Sequence, residues 1–272
     1  MKLRSSKIVR RRCLATIGAV WALGMPALAA AENETDESSP SMTKSVQTAA
    51  RAGQFLPLSL SPSVGPNRAL GGGFAGYDSA AQAPRFESFA EARVYGPFAL
   101  RFGAQTRAEN QTIAPSIMGR AQILSQASHG IDGGVALAYK AEGFTELEGE
   151  IEVLVAVARS FGNWRVLGNL AYGQDPEGRE RDGEFRAAAL CHLGTLYYLG
   201  LDGRARIDLG EEQGEAQKAH EEPKFDFDVG PVLHVALGPV ALSAHAGVSG
   251  TRRGEADTRV GFMGLAGLGT AL

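Results

Sequence analysis

The sequence predicts an all-β chain folded as an antiparallel up-and-down β-barrel of about twelve strands, ten to twelve being compatible with it. Two observations carry that prediction. From about Arg68 to Leu272 the side chains alternate with period two, and the connections between the alternating stretches are by turns short and long. Composition agrees: 35 glycines in 272 residues, about 13% against a usual ~7%, follow no three-residue period, which excludes collagen. A mean hydropathy of -0.10 excludes a bundle of membrane helices.

Residues 1–31 read as a secretory signal peptide outside the fold. Lys2, Arg4, Lys7, Arg10, Arg11 and Arg12 form a basic start and Leu14 to Met25 an apolar stretch. Ala27-Leu28-Ala29 or Ala29-Ala30-Ala31 supplies a small-residue cleavage site. Their removal leaves 21 basic against 30 acidic residues, a formal charge of -9, which sets nucleic acid aside as a partner. Cys13 goes with the leader and Cys191 stands alone, so no intrachain disulfide framework is expected. Residues 32–66 are polar, Ser/Pro-rich and without period, a flexible lead-in with room for a short ordered piece near Phe55 to Leu60. Tethering to cell wall, entering the lumen as a plug, or neither are all open for it. Residues 67–272 are the barrel.

Strands are expected near 68–77, 85–95, 98–107, 115–125, 131–140, 147–161, 164–173, 184–193, 196–209, 224–237, 239–250 and 258–271. GGGFAG at 71–76 opens no helix and precedes no lysine, so it reads as a tightly packed first strand and not as a phosphate cradle. In LEGEIEVLVAVA, Ile151, Val153, Val155 and Val157 alternate with Glu150, Glu152, Leu154 and Ala156, which gives a strand one greasy and one acidic face. In LYYLGLDGRARIDL, Tyr197, Leu199, Leu201, Ala205 and Ile207 alternate with Tyr198, Asp202, Arg204, Arg206 and Asp208. Residues 229–251 hold no Asp, Glu, Lys or Arg over 23 positions, long enough for a membrane helix. Gly230-Pro231 and Gly238-Pro239 interrupt them, and two strands are the better reading.

The turns fix the pairing. A two-residue loop at Gly238-Pro239, glycine first as a type II′ turn prefers, sets Leu237 against Val240 and His234 against Ser243. Gly162-Asn163 sets Phe161 against Trp164. At Gly96-Pro97 the simple turn would put Arg93 opposite Leu100, and a three-residue loop with a bulge would put Arg93 opposite Arg101. A three-residue turn near Thr195 sets Glu184 opposite Arg206. PSIMGRAQILSQASHG also suits a helix, with Pro115 at its start and Gly130 at its end, and a helix there would make the strand count odd.

Short connections near 96–97, 126–130, 162–163, 194–195 and 238–239 alternate with longer ones near 78–84, 108–114, 141–146, 174–183, 210–223 and 251–257. Strands of about 10–14 residues match a tilted crossing of a bilayer better than a soluble sheet. Tyr95, Phe98, Phe161, Trp164 and Tyr197 lie near the short turns. Tyr77, Phe86, Tyr139, Phe144, Tyr172, Phe185, Phe225 and Phe227 lie near the long connections, as two interfacial girdles would. On these features the chain resembles Gram-negative outer-membrane β-barrels of the porin-like kind, with no specific family. It departs in ending GLGTAL at Leu272 where such barrels commonly end in an aromatic residue. The resemblance implies the cell outer membrane as the location, and as partners its lipid, its lipopolysaccharide and the barrel-assembly machinery.

With the polar face inward, the lumen is lined by Glu91 and Arg93, Arg101 and Arg107, Arg120, then Glu148, Glu150 and Glu152, and Arg165. Glu184 and Arg186, Asp202, Arg204, Arg206 and Asp208, Asp226 and Asp228, and His234, Ser243 and His245 complete the wall. A filter for one ion sign would carry one dominant sign of charge. Balanced signs fit a passive channel for small hydrophilic solutes, or a closed structural or adhesive barrel that acts through its acidic external loops. His234, Ser243 and His245 with Asp228 supply the residue types of a lipid hydrolase, a third reading, but no catalytic residue is assigned. The histidines show no metal-ligand spacing, and no metal or cofactor is expected.

Overall fold

The computed structural model describes residues 53–64, 69–106, 112–144, 148–176, 181–210, 224–253 and 257–271. The leader, most of the lead-in, Arg107, His220 and the tips of the acidic loops lie outside these. Twelve strands follow one another: β1 Ala69–Asp78, β2 Ala83–Tyr95, β3 Phe98–Thr106, β4 Ile113–Leu124, β5 Asp132–Ala141 and β6 Gly149–Phe161. Then come β7 Trp164–Gln174, β8 Arg181–Leu193, β9 Tyr197–Asp208, β10 Phe225–Leu237, β11 Val240–Arg253 and β12 Asp257–Ala271. Every strand pairs antiparallel with its chain neighbours, and β1 closes on β12 from Leu70↔Ala271 to Asp78↔Met263, so the wall has no free edge.

The alternation sorts outward from inward side chains. In β6, Ile151, Val153, Val155 and Val157 point outward and are 44–50% exposed, while Glu152, Leu154, Ala156 and Ala158 point inward and are 1–4% exposed. An apolar outside around an inside that holds charged groups such as Glu152 inverts a soluble protein. Glycine lets β1 and β12 come close: a Cβ on Gly76 would collide with Gly264 O of the facing strand.

Three hairpins have the expected register. Leu237↔Val240 with His234↔Ser243, Phe161↔Trp164 with Val155↔Leu170, and Glu184↔Arg206 are all paired. Gly238 and Gly162 have φ of 64° and 54°, the left-handed backbone their loops require. The Gly96-Pro97 hairpin has its bulge, but at Val94 beside a two-residue loop that pairs Tyr95 with Phe98 and not in a three-residue loop, and Arg93 faces Ala99, two residues from the expected partner Arg101. Arg101 lies opposite Glu91, to which its Nε donates at 2.8 Å; an inward carboxylate-guanidinium pair decides that register. The doubtful fourth stretch is a strand, followed by a single helical turn, α1 Gln126–His129, that ends at Gly130 with φ of 76°.

One connection is shorter than expected. Asp78 ends β1 and Ala83 opens β2, so only residues 79–82 form the turn. Asp78 Oδ1 holds it by accepting from Ala80 N–H, Ala81 N–H and Ser249 Oγ.

Candidate functional site: a lumen in two levels

The half of the lumen nearest the short turns is occupied by the chain itself. Residues 53–64, QFLPLSLSPS after Gly53 and closed by Val64, run as a loop inside the barrel, begun by a 3-10 turn, Gly53–Phe55. Its ends approach each other, with Gln54 Nε2 donating to Ser63 O at 3.3 Å, as in a compact Ω-loop. Phe55 and Val64 both lie toward the short-turn end, while Leu58 to Leu60 reach the mid-lumen.

A loop buried in this way must satisfy its backbone without a ladder. Wall side chains do so. Leu58 N–H and Ser59 Oγ donate to the two oxygens of Asp202 at 2.9 and 2.6 Å. Asn169 accepts from Leu60 N–H and donates to Leu60 O, each at 2.8 Å. Arg120 donates to Ser63 O at 2.5 Å, Arg165 to Ser63 Oγ at 3.3 Å, and Val64 N–H to Gln122 at 3.1 Å. These groups come from β4, β7 and β9, well round the wall.

Apolar residues fill the remaining space. Phe55 packs with Leu70, Phe74, Phe89 and Ala241. Leu56 packs with Leu167, Leu190, Tyr198 and Val232, and Leu60 with Ala136, Leu154, Ala156 and Ala171. Gly269 makes the seat for Phe55, since a Cβ there would strike the ring. Ser61 is fully buried.

The half nearest the long connections is a charged cup. Lys140 bonds Glu152 at 2.5 Å, Arg186 bridges Glu152 at 3.7 Å and Glu184 at 2.6 Å, and Arg204 bridges Glu184, Asp226 and Asp228 at 3.8, 2.6 and 2.9 Å. Arg85 carries the chain across the lumen from Asp228 on β10 to Asp78 on β1, at 3.9 and 2.8 Å. Arg206 pairs with Asp182. Above the loop this belt encloses a cavity of about 240 Å³ whose floor is Pro57, Leu58 and Leu60.

Most residues read as lumen-lining are in the wall. Glu91, Arg120 and Arg165 lie at the level of the loop, as do Asp202, His234, Ser243 and His245, and Arg101 reaches from that level into the cavity. Glu150, Glu152, Glu184, Arg186, Arg204, Arg206, Asp226 and Asp228 face the cup. Three stand elsewhere. Arg93 is exposed at the short-turn rim, where its Nε donates to Gly96 O of its own hairpin at 2.6 Å. Glu148 and Asp208 are exposed at the opposite mouth, because each sits just where its strand meets a long connection. The aromatics Tyr95, Phe98, Phe161, Trp164, Tyr172, Phe185 and Phe225 are exposed on the outer face, and Phe227 is half-buried there.

Asp78 and Arg85 belong to the belt yet stand outside the lining set read from sequence. The expected loop over 78–84 hid Asp78, and Arg85 as the first residue of a strand shows no alternation to place it. Asn169 and Gln122 escaped a reading built on charge.

Of the hydrolase residue types, His234 and Ser243 are adjacent but wrongly polarised, while His245 Nε2 donates to Asp202 O and Asp228 pairs with Arg204 and Arg85. His234 Nδ1 and Ser243 Oγ are 2.8 Å apart, and Ser243 gives its only proton to Phe55 O at 2.9 Å. His234 must then donate to the hydroxyl and cannot act as its base. The pair is one more clamp on the loop.

No protein-family model matches this chain, and no curated protein matches it. Among solved structures it is similar to one described as the NanC porin in a rhombohedral crystal form, with a TM-score of 0.52 and 11% identity over 74% of this chain and all of that one. It is also aligned to an anion-selective porin from Comamonas acidovorans at a TM-score of 0.39 and 15% identity, over 68% of this chain and 59% of that chain. The first likeness is one of fold, and the chain is a porin-like twelve-stranded β-barrel.

Proposed function

We propose that the chain is an outer-membrane channel for the passive passage of small hydrophilic solutes, exported by residues 1–31 and set with its short turns toward the periplasm. The inside-out wall carries this reading: apolar side chains and aromatic girdles face outward, and ionised groups face a cavity open toward the long connections. Eight carboxylates and six basic groups line the cavity, so solutes bearing either sign find partners there, with a slight preference for cations. Lipid and lipopolysaccharide are the partners of the outer face, and the barrel-assembly machinery that of the unfolded chain.

A second reading, a closed structural or adhesive barrel, rests on a specific observation as well: residues 53–64 fill the short-turn half of the lumen. Planar-bilayer recording separates the two. Stepwise ion currents from the purified full chain, or from the chain lacking residues 53–64, are expected of a channel. Silence from both, with the folded state verified by heat-dependent gel mobility, overturns it.

A further inference from the structure

We infer that residues 53–64 are a withdrawable plug that holds the channel shut, with Asp202 as its main latch. The inference rests on the channel reading and adds the gate to it. First, the wall is complete without the loop. The ladder closes from β1 to β12, and no residue of 53–64 belongs to a strand, so the loop can leave while every strand pairing stays.

Second, the wall is shaped for this occupant. A water-filled pore has no use for Leu154, Leu167, Leu190 and Val232 on its inner face, yet all four are buried against Leu56 or Leu60. With the loop gone they would meet water, which makes the plugged state the resting one. Third, the clamps are side-chain hydrogen bonds that water can replace one at a time. Asp202 takes two of them and is itself completely buried. Fourth, both ends of the loop lie toward the short-turn end and are tied by Gln54 and Ser63, so it can leave as a unit in that direction without passing the charged belt.

The test is recording in planar bilayers of the full chain carrying Cys13→Ser and Cys191→Ser, with and without Ser59→Cys plus Asp202→Cys. These two side chains already meet through oxygens 2.6 Å apart. The reduced pair lacks the latch, and its open probability is expected to exceed that of the parent severalfold. Oxidation is expected to abolish the current, and reductant to restore it. Equal current from the oxidised and reduced pair, with the crosslink verified by mass, would overturn the plug and leave the channel standing.

Deletion of residues 53–64 gives an independent measure. Steady current from the deleted barrel where the parent is mostly silent supports the plug, and equal current from both overturns it. Silence from every form, including the reduced pair and the folded deleted barrel, overturns the channel reading itself.

Discussion

The two halves of the lumen are built on the same strands and have opposite chemistry. Along β6 the inward residues run Glu150 and Glu152, then Leu154, Ala156 and Ala158; along β8 they run Asp182, Glu184 and Arg186, then Ala188 and Leu190. On β10, Asp226 and Asp228 give way to Val232 and His234. The change falls at one level of the barrel, the level of Asp202, which the loop reaches with Leu58 and Ser59. Charged groups without water need partners, and greasy groups without lipid need a core. The cup solves the first problem with a belt of ion pairs, and the short-turn half solves the second with a segment of the chain's own N-terminal part.

Substitutions can break this contrast in order of size. Arg204→Ala removes the cation that Asp226 and Asp228 hold at 2.6 and 2.9 Å, leaving buried Asp226 without it and Asp228 with Arg85 at 3.9 Å. A loss of about 3–5 kcal/mol in barrel stability is expected, read as a lower denaturant midpoint of folded protein in detergent. Leu56→Ala opens a cavity in the short-turn half among Leu167, Leu190 and Val232. About 2–5 kcal/mol is expected, but lost from seating of the loop and not from the barrel. Protease cleavage within residues 53–64 should rise while heat-dependent gel mobility stays the same; a lowered barrel midpoint instead would mean that the loop is a core of the wall.

Leu170→Arg tests the outer face. Leu170 is 64% exposed, and a soluble barrel would tolerate arginine there with little change. Facing lipid near mid-membrane, the change should cost about 2–4 kcal/mol in folding into bilayers. Smallest of all, Glu150→Gln removes one carboxylate from the cup and should lower the cation-to-anion permeability ratio modestly. That effect should fade toward 1 M salt, where the screening length is about 3 Å.

Much of the barrel is legible in the sequence because its rules are local. Period two assigns each residue to a face whatever the rest of the chain does, and glycine-first turns fix the register of their own hairpins. The plug also left a trace there. VLVAVA in β6 is apolar on both faces, the mark of a strand covered on both sides. In the membrane setting proposed for the barrel, lipid covers the outer face, and that pattern then requires something apolar inside. Assigning every inward position to a polar face passed over this sign, because Glu150 and Glu152 at one end of β6 set the expectation for the whole strand.

The sequence by itself determined the strands, their order, their outward faces and the registers at Gly162 and Gly238, since alternation and turn chemistry act over a few residues. Tertiary structure alone decided what meets inside. Ser59 and Asp202 are 143 residues apart, and Arg85 reaches Asp228 only because β1 and β12 have closed the wall between β2 and β10. Even the Gly96 hairpin, which keeps its two-residue turn with Tyr95 opposite Phe98, takes a bulge at Val94 that sets the inward pair Glu91 opposite Arg101. Contacts across a lumen depend on closure, and no local period records which side chains closure brings face to face.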